Sequence, residues 1–372
     1  MNAKNWVKAT VLSTAIAVSF GASAAEANAQ SYVAYAKKYI REITTPAPRW
    51  MGPTTGPAAQ TDKFVVFVSM DQRNGGVLGV SEGVAQACKV LGWKLRVLDG
   101  GGTIAGRQQA LSQAIAMKPD GIILGSIDAR EQARLIKEAA ADGIKLVGWH
   151  SGPAPGKIKG SPIFYNVSMD PVAIGRAAGL DAVANSNGHA HVILFTDNLY
   201  QIATVKIDAA VAAIRKCKGC SVLAVENTPL GNVANLMPSL TDSLLSKYGK
   251  QWNYSIGVND LYFDFMAPAL RSAGIGGSGY PRNISAGDGS KAAFHRIRHQ
   301  QYQIGTIAEP LYLDGWECVD EMNRAFAGAP PAYFSYPVHL FDHANVNSDG
   351  GAQDVFDPKD GYQRVYEKIW RK

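Results

Sequence analysis

The chain alternates two kinds of apolar pattern. Phe64–Val68 is an unbroken β-branched and aromatic run, the signature of a strand buried on both faces. Val77–Leu91 repeats its apolar positions at helical spacing. Strand Lys94–Leu98, helix Ala105–Met117, strand Gly121–Leu124, helix Ala129–Asp142 and strand Lys145–Trp149 follow. Asp128 and Glu131 have the spacing of a capping box at the start of that last helix. Strands separated by helices of about a dozen residues predict a parallel sheet with right-handed crossovers.

The alternation then restarts. Ile163–Tyr165, His191–Phe195, Val222–Val225, Ser255–Val258, Asn283–Ala286, Ile304–Ala308 and Pro337–Phe341 read as strands. Pro171–Ser186, Ile202–Lys216, Asn232–Tyr248, Leu261–Ala273, Ser290–Gln300 and Leu311–Ala327 read as the helices between them. Two successive units of this kind predict an α/β protein of two doubly wound parallel-sheet lobes. Ligands of such sheets bind beyond the carboxyl ends of the strands, so two facing lobes make one cleft.

Both ends of the chain depart from the pattern. Residues 1–29 hold two lysines, the apolar stretch Ala9–Ala22 and two A-x-A sites, Ala22-Ser23-Ala24 and Ala27-Asn28-Ala29. That is the three-part layout of a secretory signal peptide, so the mature protein is expected in a bacterial periplasm. Residues 30–61 begin with a helical segment, Tyr32–Glu42, and become rich in Pro and Gly. They read as a strap over the body, with Trp50 as packing anchor. The expected domains are 62–162 plus 310–341 for the N-terminal lobe. The C-terminal lobe and tail take 163–309 plus 342–372.

Composition narrows the function. The 372 residues are 47% hydrophobic and 18% charged, a globular balance. Lys and Arg number 37 against 31 acids, a net +6, but they form no stripe interleaved with aromatics, so no nucleic-acid partner is expected. Beyond the leader no apolar run is long enough to cross a membrane. Four Cys are too few for a disulfide scaffold. Cys217 and Cys220 stand at a helix C-terminus, which reads as a local disulfide rather than a redox pair at a helix N-terminus. Cys88 and Cys318 read as buried thiols.

The strand ends carry the candidate chemistry. Asp71 and Asn74 follow the first strand, and Trp149 and His150 close the fourth. Asn259 with Tyr262, Asp288 and Glu309 stand at strand ends of the second half. Carboxylates, amides and ring faces suit a polyhydroxylated ligand, whose hydroxyls donate to acids, accept from amides and present C–H faces to rings. His150, a residue type that titrates near neutrality, is expected to make lobe closure depend on pH. No cofactor and no catalytic residue is expected: the glycines Gly100–Gly102 lack a nucleotide-loop fingerprint, and Gly287-Asp288-Gly289-Ser290 is no nucleophile elbow. Asn345–Gly350 looks like half a calcium loop, but its twelfth position is Phe356 where a bidentate acid is needed, so no metal is expected.

The segment FVVFVSMDQRNGGVLGVSEGVAQACKVLGWKLRVLDG, then KPDGIILGSID and DGIKLVGWHS, resembles the type I periplasmic solute-binding proteins of sugar ABC transporters, the ribose-binding class. VNDLYFDFMAPALRSAGI and ISAGDGSKAAFHRIRHQQYQIGTIAEP resemble that family's later segments. The resemblance spans about residues 62–341. It implies two lobes joined by three crossings that close on a ligand, placed here near Gly160–Asn166, Glu309–Pro310 and Phe341–Asn345. It assigns ligand contacts to Asn74, Asn259 and Asp288, with Glu309 at a position near the hinge that is often Gln. The family's arginine positions are lost: His150-Ser151 stands where Asp-Arg is usual, and Lys206 lies next to the other. An acid-rich cleft would suit a neutral sugar or polyol, or a cationic solute. The implied partner is an ABC permease in the inner membrane. A periplasmic sensor subunit for a chemoreceptor or histidine kinase is the alternative, and a monomer is expected.

Overall fold

The structure, a computed structural model, describes residues 30–45 and 49–371. The expected leader falls outside these residues. Two sheets form the body. The first has strand order β2-β1-β3-β4-β5, from β1 (Phe64–Ser69), β2 (Lys94–Asp99), β3 (Gly121–Gly125), β4 (Lys145–Trp149) and β5 (Tyr165–Val167). All its pairings are parallel, with Val66 opposite both Arg96 and Ile122. The second has order β11-β10-β9-β8-β6-β7, from β6 (His191–Thr196), β7 (Ser221–Asn227), β8 (Tyr254–Gly257), β9 (Arg282–Ser285), β10 (Gly305–Ala308) and β11 (His339–Asp342). Only β11 in it runs antiparallel, with Phe341 opposite Thr306.

Helices cover both faces of each sheet, which is why β1, β3 and β4 are apolar almost throughout. Residues 30–43 form helix α1. The first lobe carries α2 (Gly75–Leu91), α3 (Ile104–Ala116) and α4 (Ala133–Ala141). The second carries α5 (Pro171–Asn185), α6 (Gln201–Arg215), α7 (Val233–Tyr248), α8 (Leu261–Ser272) and α9 (Lys291–Arg298). After β10 the chain returns to the first lobe as α10 (Leu311–Ala327), packed on α2, and it ends in α11 (Tyr362–Trp370). Local chemistry sets these boundaries. Asn74 caps α2 by accepting from Gly76 and Val77, and Asp170 caps α5 ahead of Pro171.

Four features differ from the sequence pattern. The strand near 163–165 was expected in the second lobe, but β5 pairs with β4 and edges the first sheet. The strand near 337–341 was expected in the first lobe, but β11 pairs with β10. An apolar run shows that a strand exists; its partner is decided by residues far along the chain. The first crossing therefore follows β5, at 168–170, and the third lies between α10 and β11. The tail was assigned to the second lobe, yet α11 packs on α10, with the rings of Trp316 and Trp370 stacked at 5.5 Å. Last, the capping box does not form. Glu131 pairs with Arg107 instead, and α4 starts at Ala133.

The strap touches both lobes. On α1, Tyr32 donates to the Ala213 carbonyl at 2.8 Å, and Ala36 packs with Leu180, Val183 and Cys217 of the second lobe. Trp50 packs on Phe334, Tyr362 and Tyr366, and Asn323 of α10 donates to the carbonyls of Pro57 and Ala58 on the first-lobe side.

Candidate functional site

The carboxyl ends of both sheets face one another. At the first, Ser126 follows β3 at φ +57° and His150 follows β4 at φ +54°. Left-handed backbone is costly for residues with a Cβ, and such strain gathers at ligand sites. His150 is held there by its amide, which donates to Val167 at 3.2 Å, while Ser126 donates to Trp149 at 2.8 Å. Asn74, at the start of α2, lies beside them.

The second lobe contributes Asn259 after β8, Asp288 after β9, Glu309 after β10 and Lys206 from α6. Lys206 lies on the buried face of α6, which crosses α5 closely: a Cβ on Gly175 would overlap the Lys206 carbonyl. The loop carrying Asp288 is held by Asp260, whose Oδ2 accepts from the amides of Asp288, Gly289 and Ser290 at 3.1, 2.8 and 3.1 Å.

These side chains form one buried network. Glu309 is fully buried; its Oε2 lies 2.9 Å from His150 Nε2, and its Oε1 accepts from Lys206 at 3.1 Å. Lys206 also stands 3.7 Å from Asp288 Oδ1, and Asn259 donates to Asp288 Oδ2 at 2.7 Å. Burial alone would raise the Glu309 carboxyl, but the charges of His150 and Lys206 and their hydrogen bonds hold it down to about 2. Burial pushes Asp288 up to about 6, aided by Glu309 and Asp260 and opposed by Lys206 and His150. Burial would lower the Lys206 ammonium, yet Glu309 and Asp288 carry it above its ordinary value.

Asn74, Ser126 and His150 from one lobe and Lys206, Asn259 and Asp288 from the other line a cavity of about 40 Å³. Its apolar wall includes Met70, Ile202, Leu230 and Val258, with the ring of Tyr200. That space holds a few waters and is far below the roughly 300–1,000 Å³ of a small-molecule site. The lobes are pressed together around it. A Cβ on Gly76 would overlap the Asp288 carboxylate, Gly102 meets Gly231, and Asp128 accepts from the Gln201 amide at 3.0 Å.

The structure thus brings Asn74, His150, Asn259 and Asp288 together, with Glu309 beneath them. It does not bring in the other three expected residues. Asp71 turns away and grips Arg73 through both oxygens, at 2.9 and 2.8 Å. Tyr262 is fully buried under the site and donates to the Thr228 carbonyl at 2.8 Å. Trp149 is fully buried, stacks on His150 at 3.9 Å and donates to Asp314 at 3.0 Å, so it supports the imidazole rather than facing a ligand. Lys206 and Ser126 were not among the expected contacts. A lone lysine inside the apolar face Ile202–Ile214 is the signal that marks Lys206, and it supplies the cation that the expected acid-rich cleft lacked.

Among the described residues, His150, Asp288 and Glu309 are the one group of three ligand-type side chains close enough for a metal ion. The Lys206 ammonium already stands beside both carboxylates, so the donor set does not fit one. Phe356, at the twelfth position of the calcium-like loop, packs among Tyr336, His339 and Phe341 in the core. Cys217 and Cys220 form a disulfide, and Cys88 and Cys318 are buried free thiols.

A family model described as the periplasmic binding protein domain matches residues 65–330. Several solved structures are similar. A sugar ABC transporter protein from Yersinia enterocolitica subsp. enterocolitica 8081 is 19% identical, covers 86% of this chain and 99% of its own, and has a TM-score of 0.69. An ABC transporter solute-binding protein from Agrobacterium vitis, bound with alpha-D-tagatopyranose, is 16% identical over 79% of this chain and 99% of its own, with a TM-score of 0.69. A glucose-galactose binding protein from Geobacillus stearothermophilus is 19% identical over 77% and 99%, with a TM-score of 0.64. At these identities the likeness establishes the fold. No curated protein matches the sequence.

Proposed function

The chain belongs to the periplasmic binding protein family, and from that premise we propose that it is the solute receptor of an ABC-type uptake system. It takes up a small polyhydroxylated molecule, a sugar or polyol, between its lobes and delivers it to a permease in the inner membrane. The family is one of binding proteins rather than enzymes, and the reading assigns no residue a catalytic role. A secretory leader over residues 1–29 would place the mature chain in the periplasm.

The observation that carries this reading is the convergence of Asn74, Ser126 and His150 with Lys206, Asn259 and Asp288 across the cleft. Donors and acceptors share a single space, as a ligand with several hydroxyls requires. Each lobe supplies half of them, so a ligand that touches both favours the closed form by its differential affinity. Lys206 balances the acids, which favours a neutral ligand over a cationic one. A thermal-shift screen of sugars, polyols and quaternary amines tests the reading, because a ligand that binds only the folded state raises the melting temperature. Stabilisation by sugars or polyols is the expected result, and a response to amines alone would overturn it.

A further inference from the structure

A second cavity, of about 210 Å³, lies beside the first, and Asn259 lines both. Between them stand Asn259, Asp288 and the start of α2. Asn259 donates to Asp288 at 2.7 Å, and the Asp288 carboxylate lies against Gly76 where a Cβ would overlap it. Asp288 and Gly76 belong to opposite lobes. The Asp288–Gly76 side of the partition is therefore a contact between lobes, while its Asn259–Asp288 side lies within the second lobe. When the lobes part the first side opens, and the two cavities become one groove.

The chemistry of the second cavity differs from that of the first. Leu78, Leu261, Leu311, Tyr312 and Val355 form its walls. The charged groups at its rim are engaged with one another. Glu82 pairs with Lys291 at 3.4 Å and accepts from Tyr312 Oη at 3.0 Å, Arg73 grips Asp71, and Asp264 pairs with Arg296. Such a space rewards burial of C–H surface more than hydrogen bonding.

Resting on the function proposed above, we propose that the ligand is a glycoside rather than a free monosaccharide. Its polyhydroxylated head lies between Asn74, Lys206 and Asp288. The second unit, joined through one ether oxygen, passes over Asn259, which lines both cavities, and lies along Leu78, Leu311 and the Tyr312 ring. The second cavity, about 210 Å³ beside the first, is room that a free monosaccharide would leave unused. Burying the face of a second ring against these walls should tighten binding about 10- to 100-fold over the free sugar.

The experiment is calorimetry on the full chain with glucose, galactose, ribose and allitol, beside maltose, lactose and the 4-nitrophenyl glycosides of the same sugars. At least one glycoside should bind about 10- to 100-fold more tightly than its parent sugar. Ala292→Phe alters an exposed α9 residue that lines only the second cavity. It should erase that advantage and leave the parent's affinity within about 2-fold; Leu78→Phe, also at an exposed position, should do the same. Free sugars or polyols that bind as well as every glycoside would overturn this inference while leaving the proposed function standing. A variant that weakens both ligand types equally would also overturn it. A panel in which nothing binds would overturn the proposed function, and this inference with it.

Discussion

His150 Nε2 lies 2.9 Å from Glu309 Oε2, although 159 residues separate the two in the chain. The contact links the end of β4 in the first sheet to the crossing that leaves β10 in the second. Through its other oxygen Glu309 holds Lys206, and through Lys206 the network reaches Asp288. One fully buried carboxylate thus connects both lobes and the hinge. Four predictions follow from this arrangement and its surroundings.

Lys206→Met should destabilise the ligand-free protein by about 3–5 kcal/mol at neutral pH, since it leaves Glu309 and Asp288 buried without their cation. The loss should shrink toward pH 5, where Asp288, already pushed up to about 6, takes a proton and needs no partner. Urea denaturation at pH 5 and pH 8 reads both values. Equal losses at the two pH values would show that Asp288 does not depend on this lysine.

Asp288→Asn addresses the same proton from the other side. The folded carboxyl titrates near 6 and the unfolded one near its ordinary 3.8. Between these values the folded state binds more protons, so this group's contribution falls as pH rises from about 4 to about 6. The fall is at most about 3 kcal/mol, at 1.36 kcal/mol per pH unit. The asparagine variant should lack it, and its stability should gain on the wild type between pH 4 and pH 7. Ligand hydroxyls donate better to the ionised acid, so wild-type binding should release a proton near pH 6, visible in calorimetry across buffers of different ionisation enthalpy. Asp288→Ala should weaken binding about 5- to 150-fold, and unchanged affinity would remove Asp288 from the site.

The strands and helices were legible because apolar periodicity encodes them locally: β1 and α10 stand within a residue of the expected limits. The pairing of β5 and β11 was not legible, since a short edge strand carries no mark of its partner. Among site residues, Asn74, His150, Asn259 and Asp288 could be placed because each ends a strand or opens a helix at the cleft. Lys206 is marked only by being the one lysine on the buried face of α6, and that pattern does not say which carboxylates it meets, since Glu309 and Asp288 come from strand ends far along the chain. Tyr262 and Trp149 misled for the opposite reason. Their rings suit a sugar face, but a ring beside a strand end can equally turn down into the core, and both do.

The Cys217–Cys220 disulfide should be dispensable for ligand binding. It joins residues only three apart, so it restrains little unfolded-chain entropy. It sits at the C-terminal end of α6, packed under α1, away from the cleft. Alkylation without reductant should leave both sulfurs unlabelled. The double serine variant should bind ligand within about 2-fold of wild type, and a larger change would tie this turn to the site.

Closure itself can be tested at Gly76. In the structure described here a Cβ at this position would overlap the Asp288 carboxylate of the opposite lobe. The three atoms this Cβ would approach most closely all belong to Asp288, so that overlap is relieved once the lobes part. Gly76 also lies in the first turn of α2, where Ala is the better helix former by about 0.5–1 kcal/mol. Gly76→Ala should therefore fold normally, with a melting temperature at or above the wild-type value. It should nonetheless bind ligand at least about 10-fold more weakly, because the closed form is strained. Small-angle scattering should show the wild-type radius of gyration shrinking on ligand addition, and a smaller or absent change in the variant at saturating ligand. Adding Asp288→Gly removes the obstructing carboxylate; the double variant should recover the shrinkage without recovering the affinity that the carboxylate supplied. Wild-type affinity and wild-type shrinkage in Gly76→Ala would show that ligand is held with the lobes further apart than here, and would sink closure onto Asp288 as the binding step.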